Sequence, residues 1–167
     1  MISKIKTMYN HEKENYICPF CLLVNGIEND KVYSRQSDIV YKDEFVTAFI
    51  ASHQLIKNPG TVLIIPNKHV ENLYDLHDDL SAKIHQLERK IAVAMRSAYP
   101  CQGNVIRQHN EPIEGAKCKG QDVLHYHLQI IPRYSSDKMY EYAEDGQREL
   151  ASQEERKNYA ELLKDVL

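Results

Sequence analysis

The sequence predicts an α+β fold, with an antiparallel sheet, one long amphipathic helix and a C-terminal helix. Short segments rich in Val, Ile, Tyr and Phe are separated by polar residues, which is typical of a meander of antiparallel strands. One stretch instead repeats apolar residues at steps of three and four, the period of an amphipathic helix. Strands and helices do not alternate as in βαβ units, which favours an α+β domain.

The composition is that of one globular domain. The chain has 167 residues, of which 43% are hydrophobic and 27% are charged, and these values fit a domain with its own core. The 21 Lys and Arg residues against 24 Asp and Glu residues give a net charge of -3, so no basic excess favours a nucleic-acid partner. We expect a polar N-terminal tail at residues 1–17 and a single domain over residues 18–167.

No segment resembles a signal peptide or a membrane span. The longest apolar run, residues 61–66, is far too short to cross a bilayer. A cytoplasmic location without a membrane partner is therefore expected. In that reducing compartment the cysteines are expected to be thiols or metal ligands rather than disulfides; they are Cys18, Cys21, Cys101 and Cys118.

The first half of the chain predicts a short helix followed by strands. Pro19 in a first helical turn and Asn25-Gly26 as a stop place the helix at residues 18–24. Strand composition follows in segments bounded by polar residues or by the turn Asn58-Pro59-Gly60. The predicted strands are residues 31–35, 39–42, 45–51 and 61–65.

The second half contains the long helix, predicted at residues 79–99 and ended by Pro100. Its apolar stripe consists of Leu80, Ile84, Leu87, Ile91, Met95 and Ala98. Strand composition returns at residues 104–108 and 122–131, with a loop at 110–121 between them. Ser152, with Glu155 three residues later, predicts a capped last helix that runs to Leu167.

The run from His125 to Gln129 contains the residues best suited to chemistry. Side chains two apart in a strand share a face, so His125, His127 and Gln129 are expected on one side, opposite Tyr126, Leu128 and Ile130. From spacing alone, catalysis, a metal pair and two surface imidazoles all remain open. The pair Cys18 and Cys21 is equally open between zinc ligands, a redox dithiol and packed thiols.

Several blocks in a fixed order resemble the histidine triad (HIT) family. The resemblance covers residues 18–134 and includes the segments 45–49, 59–69 and 120–133. It implies a nucleotide partner and a homodimer that pairs through the long helix and an adjoining strand. It also implies that His127 is the nucleophile that attacks the α-phosphorus of a nucleotide ester or anhydride. By the same resemblance Gln121 and Gln129 contact phosphate, and Asn104 lies beside the nucleotide.

HIT proteins with a Cys-x-x-Cys pair imply a structural zinc site as well. The resemblance completes it with histidines at two further positions, so the ligands implied here are Cys18, Cys21, His69 and His125. His125 would then not be a catalytic base. Cys101 is expected in the core and Cys118 in a loop.

Two departures from the HIT pattern affect the expected chemistry. Gln129 occupies the third triad position, and an amide can hold a phosphate oxygen but cannot transfer a proton. Transfer is therefore favoured over simple hydrolysis, with His109 as a candidate substitute proton donor. The acidic ribose-binding residue is missing, because Ala51-Ser52-His53 follows Phe49-Ile50. A catalytically weak nucleotide-binding or interaction module is the alternative, and a metalloenzyme that uses His125 and His127 is a third possibility.

Overall fold

The structure, a computed structural model, describes residues 9–167, and it confirms the α+β fold. The helices of this part are α1 Pro19–Val24, α2 Asp78–Ala98, α3 Met139–Glu144 and α4 Gln153–Lys164. Its strands are β1 Ile39–Lys42, β2 Val46–Ile50, β3 His53–Leu55, β4 Val62–Pro66, β5 Gly103–Gln108, β6 Leu128–Arg133 and β7 Arg148–Leu150. No helix within these residues is long and apolar enough to span a bilayer.

Five of the strands form one antiparallel sheet in the order β1-β2-β4-β6-β5, and β3 pairs with β7 separately. β6 therefore has a neighbour on each side. Gln129 of β6 pairs with Leu63 of β4 and with Arg107 of β5. Directly paired residues project from the same face of a sheet, so these three side chains form a row across it.

One face of the sheet packs against α2 and α4. The predicted stripe of α2 is confirmed: Ile84, Leu87, Ile91 and Met95 are buried in one cluster with the side chains of β4 and β6. Ala160 and Leu163 of α4 join the same cluster. The Ser152 cap is also confirmed, since its hydroxyl accepts a hydrogen bond from the Glu155 amide at 3.1 Å.

Two of the predicted strands are wrong in part or in whole. Residues 31–35 belong to no strand; the Tyr33 carbonyl accepts a hydrogen bond from Arg156 instead of from a neighbouring strand. The segment 122–131 is a strand only from Leu128 onward. Before that point the chain turns tightly, because the His125 amide bonds to the Val123 carbonyl at 2.7 Å.

The sequence did not predict β3, β7 or α3. These elements are short, and β7 contains only Arg148, Glu149 and Leu150, too few residues to display a period. Of the predicted tail, residues 1–8 lie outside the described residues. The rest of it contacts the domain: the His11 amide donates to Glu71, and the Tyr16 hydroxyl accepts from the Leu124 amide at 3.0 Å.

Candidate functional site

His127 lies immediately before β6 and is held in one tautomer. Its Nδ1 is 2.9 Å from the His125 carbonyl oxygen, which can only accept, so Nδ1 carries the proton and Nε2 carries the lone pair. The residue is 7% exposed. Burial lowers the pKa of His127 to about 4, so the ring is neutral near pH 7. A neutral imidazole with a free Nε2 is a nucleophile that needs no prior deprotonation.

His127 and Gln129 both line a pocket of about 430 Å³. Its apolar lining comes from α1, from the extended segment after it and from the sheet, and includes Phe20, Val32, Leu55, Leu63 and Ile131. Its polar lining includes Ser52, His53, Asp122, Gln129 and Arg148. A concave, mostly apolar pocket of this size with a few polar groups is typical of small-molecule sites.

The alternation around Gln129 explains how the segment serves both the pocket and the core. Gln129 and Ile131 face the pocket, whereas Tyr126, Leu128 and Ile130 are buried in the cluster with α2. The predicted apolar face is therefore confirmed. The rings of His125 and His127 both pack edge-on against Phe20, with centroids 5.8 and 5.5 Å away, but His125 does not line the pocket and packs instead against His69, with centroids 4.8 Å apart.

His125 belongs to a cluster of four potential metal ligands with Cys18, Cys21 and His69. One ligand atom of each lies within 4.8 Å of all the others. Cys18 Sγ is 3.3 Å from His125 Nδ1, and Cys21 Sγ is 3.2 Å from His69 Nδ1. A tetrahedral zinc site with ordinary bond lengths separates its sulfur and nitrogen ligands by roughly 3.6 Å. The four donors are thus spaced to surround a single ion.

The second nitrogen of each histidine supports this arrangement. His125 Nε2 is 2.9 Å from the Pro66 carbonyl oxygen, and His69 Nε2 is 3.0 Å from the Glu12 carboxylate. The Pro66 carbonyl fixes the ring orientation of His125 and leaves its Nδ1 for a metal. Within residues 9–167 this cluster includes His125 but not His127, so the structure gives no support to a metal shared by the two.

The comparison with known families agrees with this geometry, since residues 33–136 match the HIT domain. This chain belongs to the HIT family. A HIT protein of Bacillus subtilis is 37% identical over 125 residues, 74% of each chain. A Hit-like protein from Bartonella henselae has a TM-score of 0.69 at 26% identity, covering 89% of this chain and 94% of that one. A diadenosine triphosphate hydrolase from Plasmodium falciparum shares the fold, with a TM-score of 0.63 at 21% identity over 95% and 88% of the two chains.

Two residues expected at the nucleotide are not brought to the pocket of this HIT domain. Asn104 pairs with Pro132, whose side chain projects from the sheet face opposite to that of Gln129. Asn104 therefore faces α2, and its Nδ2 lies 3.4 Å from the Ala92 carbonyl oxygen. Gln121 is 2% exposed and uses both ends of its amide on backbone groups. Its contacts tie the loop 110–121 to the chain before α2, and it does not line the pocket.

His109 does not suit the role of substitute proton donor in this HIT domain. Its Nε2 accepts a hydrogen bond from Arg107 Nε. Burial, and then the Arg107 charge, lower the pKa of His109, so the ring is neutral near pH 7. A neutral imidazole in this tautomer has only its Nδ1 proton to offer and is a poor general acid.

The pocket contains Arg148, a residue that the sequence reasoning missed. Arg148 lines it because β7 pairs with β3, where Leu55 is its partner. Ser52 and His53 also line it, at the place where HIT relatives were expected to carry an acidic residue. Nothing in the sequence near Arg148 signals this placement, because it depends on a strand pair that is distant in the chain.

Proposed function

We propose that this protein is a nucleotidyl hydrolase or transferase that cleaves a nucleotide ester or dinucleoside polyphosphate at the α-phosphorus through a nucleotidyl-His127 intermediate. The observation that carries the proposal is the His127 tautomer: Nδ1 is tied to the His125 carbonyl, and the ring borders a pocket of nucleotide size. HIT membership supports the same chemistry. Gln129, on the same pocket wall, supplies an amide for a phosphate oxygen.

The reaction divides into two displacements. In the first, the Nε2 lone pair forms a P–N bond while the P–O bond to the leaving group breaks, and the leaving oxygen keeps that electron pair. The Nδ1 proton stays on its hydrogen bond to the His125 carbonyl, so the ring holds the positive charge. In the second, an acceptor oxygen forms a new P–O bond, and the P–N electron pair returns to Nε2.

The nature of Gln129 favours an anionic acceptor. Water must lose a proton as it attacks, and a side-chain amide cannot take it. A phosphate oxygen is already negative and needs no proton removed. The intermediate is therefore expected to persist in water and to break down faster when a phosphate or sugar phosphate is present.

Different residues of the pocket lining suit the base and the ribose of the nucleotide. The apolar side chains of Phe20, Val32 and Ile131 suit the base. Ser52 and His53 offer a hydroxyl and an imidazole for the ribose, in place of the missing carboxylate. His53 is also steadied by Tyr33, whose ring lies edge-on with centroids 5.0 Å apart.

Zinc is the metal proposed for the Cys18, Cys21, His69 and His125 cluster, because two thiolates and two imidazoles form a closed tetrahedral set. When bound, it would supply a structural tie rather than a reacting group. His125 then connects the cluster to the chemistry, since its ring faces the ligands and its carbonyl holds His127 Nδ1.

Intact mass spectrometry after brief exposure to a panel of nucleotide substrates tests the proposal. The wild-type protein should gain one nucleotidyl mass, and His127→Ala should gain none. His85→Ala is the matched control, since His85 is exposed on α2. Gln129→His should increase the rate at which water, relative to a phosphate acceptor, breaks down the intermediate by about 10²- to 10⁴-fold, the usual range of general acid–base assistance.

The outcomes separate the parts of the proposal. Rapid hydrolysis by wild-type protein, with no acceleration by phosphate, would refute the role given to Gln129 but not that of His127. One observation supports the alternative of a binding module: Gln121 and Asn104, both expected at the nucleotide, do not line the pocket. Nucleotide binding with neither an adduct nor turnover would support that module and contradict the enzyme.

A further inference from the structure

We infer that Arg107 and Arg148 form a second anion subsite, which takes the phosphate group on the far side of the scissile bond from the nucleoside. This inference rests on the proposed function. It specifies the substrate class, because it requires a leaving group in the first step, and an acceptor in the second, that is itself a phosphate or a phosphate ester.

The strand register places Arg107 beside Gln129, on the pocket side of the sheet. Arg107 is the direct partner of Gln129 across the β5–β6 ladder, so both side chains leave the same face of the sheet. Gln129 lines the pocket, and so does Leu63, its partner on the other side. A phosphate chain that runs from His127 past Gln129 toward β5 therefore approaches Arg107.

Arg107 is half-buried, and no carboxylate in the described part of the chain lies within salt-bridge distance of it. Its guanidinium instead contacts the His109 ring and, at 3.7 Å, Cys118 Sγ. Two other arginines in this structure differ: Arg133 contacts Asp137, and Arg156 contacts Asp38. A partly desolvated cation without a counterion is costly to keep, and an anionic ligand would lower that cost.

Arg148 supplies the second cation from β7. It lines the pocket, and its Nη1 is 2.7 Å from the Asp122 carboxylate, whose side chain is 52% exposed. An ion pair this exposed is weak, so a phosphate can share or replace the carboxylate. The two guanidiniums are within electrostatic reach of one another, since Arg148 adds to the effect of burial in lowering the pKa of Arg107.

The residue type and the charge balance point to phosphate. Two guanidiniums face a single carboxylate, so the subsite is cationic. The guanidinium fork matches the oxygens of a phosphate in a bidentate way that an ammonium group does not. An anion held here is also the kind of acceptor that needs no proton removed, which agrees with glutamine rather than histidine at position 129.

The kinetic test compares two substrates that share a nucleoside. The 4-nitrophenyl ester of AMP has a leaving group without phosphate, whereas diadenosine triphosphate releases ADP. Arg107→Gln and Arg148→Gln should each lower kcat/KM for diadenosine triphosphate by about 10- to 100-fold, the range expected for losing a charged hydrogen bond. The ester should lose less than about threefold. Arg89→Gln, at an exposed position on α2, is the matched control. Arg107→Lys keeps the charge but removes the guanidinium fork, so it tests whether the fork itself is needed.

A binding test separates this inference from the proposed function. Calorimetry with inorganic pyrophosphate should give an affinity about tenfold or more weaker for Arg107→Gln than for wild type. An unchanged affinity, or equal kinetic losses with both substrates, overturns the subsite while leaving the His127 mechanism intact. A wild-type protein that neither forms an adduct nor turns over either substrate, but binds pyrophosphate through Arg107, overturns the mechanism and supports the subsite.

Discussion

The buried pair between Arg156 of α4 and Asp38 gives the sharpest stability prediction. Arg156 is 4% exposed and Asp38 is 0% exposed, with Nε 2.9 Å from the carboxylate. The other guanidinium nitrogens donate to the carbonyls of Tyr33 and Ala151. We expect Arg156→Met to lower the free energy of unfolding by about 3–5 kcal/mol, because Asp38 is left as a buried charge without its partner.

The structure indicates the upper part of that range. Each of the two carbonyls also loses a donor, and a hydrogen bond contributes about 0.5–1.5 kcal/mol net. Methionine fills much of the space of the arginine stem, so a cavity adds little. Because Tyr33 lines the pocket and Ala151 directly follows β7, the same change should also weaken nucleotide binding.

Urea unfolding followed by far-ultraviolet circular dichroism measures the effect, since the chain has no tryptophan. Arg89→Met is the control and should stay within about 0.5 kcal/mol of wild type. Adding Asp38→Asn to Arg156→Met should recover part of the loss, because no buried charge then remains. A loss below about 1 kcal/mol for Arg156→Met, or no recovery in the double variant, would refute this reasoning.

Three further predictions concern the metal, acid stability and assembly. Protein prepared without chelator should contain one zinc per chain, and Cys18→Ser should lower the melting temperature more than Cys118→Ser, because ligand loss removes metal binding that is linked to folding; metal analysis that finds no zinc contradicts this. Burial alone would raise the pKa of Asp137, but hydrogen bonds from Arg133, an amide and backbone N–H groups hold it well below its usual range. The stabilisation from ionised Asp137 is complete above the unfolded pKa of about 3.9 and is lost as the pH falls below it. Asp137→Asn should therefore make the free energy of unfolding fall less steeply with decreasing pH than in the wild type. An equally steep fall in both proteins contradicts this prediction. Because α2 and β5 leave apolar side chains such as Val93 exposed, we expect a homodimer through these elements, and sedimentation that gives only monomer at micromolar concentration contradicts it.

The elements that could be predicted are those whose buried residues recur at a regular spacing within one segment of the sequence. Helix α2 repeats its apolar residues over many turns against one sheet face, so its period survives in the sequence. The same holds for the alternation of Tyr126, Leu128 and Ile130, which persists although the first of them lies before β6 begins.

The elements that could not be predicted depend on contacts between distant segments. Residues 125–127 are buried like the strand that follows them, yet the Tyr126 amide bonds to the Val70 carbonyl and not to a strand. Asn104 was expected beside the nucleotide, but the sheet face from which it projects is set by the β5–β6 register, which no local sequence pattern indicates. Arg148 was missed for a similar reason, since only its pairing with β3 brings it to the pocket.

The position of β7 has a consequence for how substrate preference can diverge among relatives. The HIT match ends at residue 136, whereas Arg148 enters the pocket from a segment beyond it. That segment reaches the pocket through a three-residue ladder to β3 and the ion pair of Arg148 with Asp122, apart from the sheet whose strand β6 follows His127, the proposed nucleophile. On the proposed mechanism, substitutions there alter which leaving group is accepted without disturbing β6. Two proteins with the same residues 125–129 can then differ in substrate, and a comparison limited to residues 33–136 would not detect the difference.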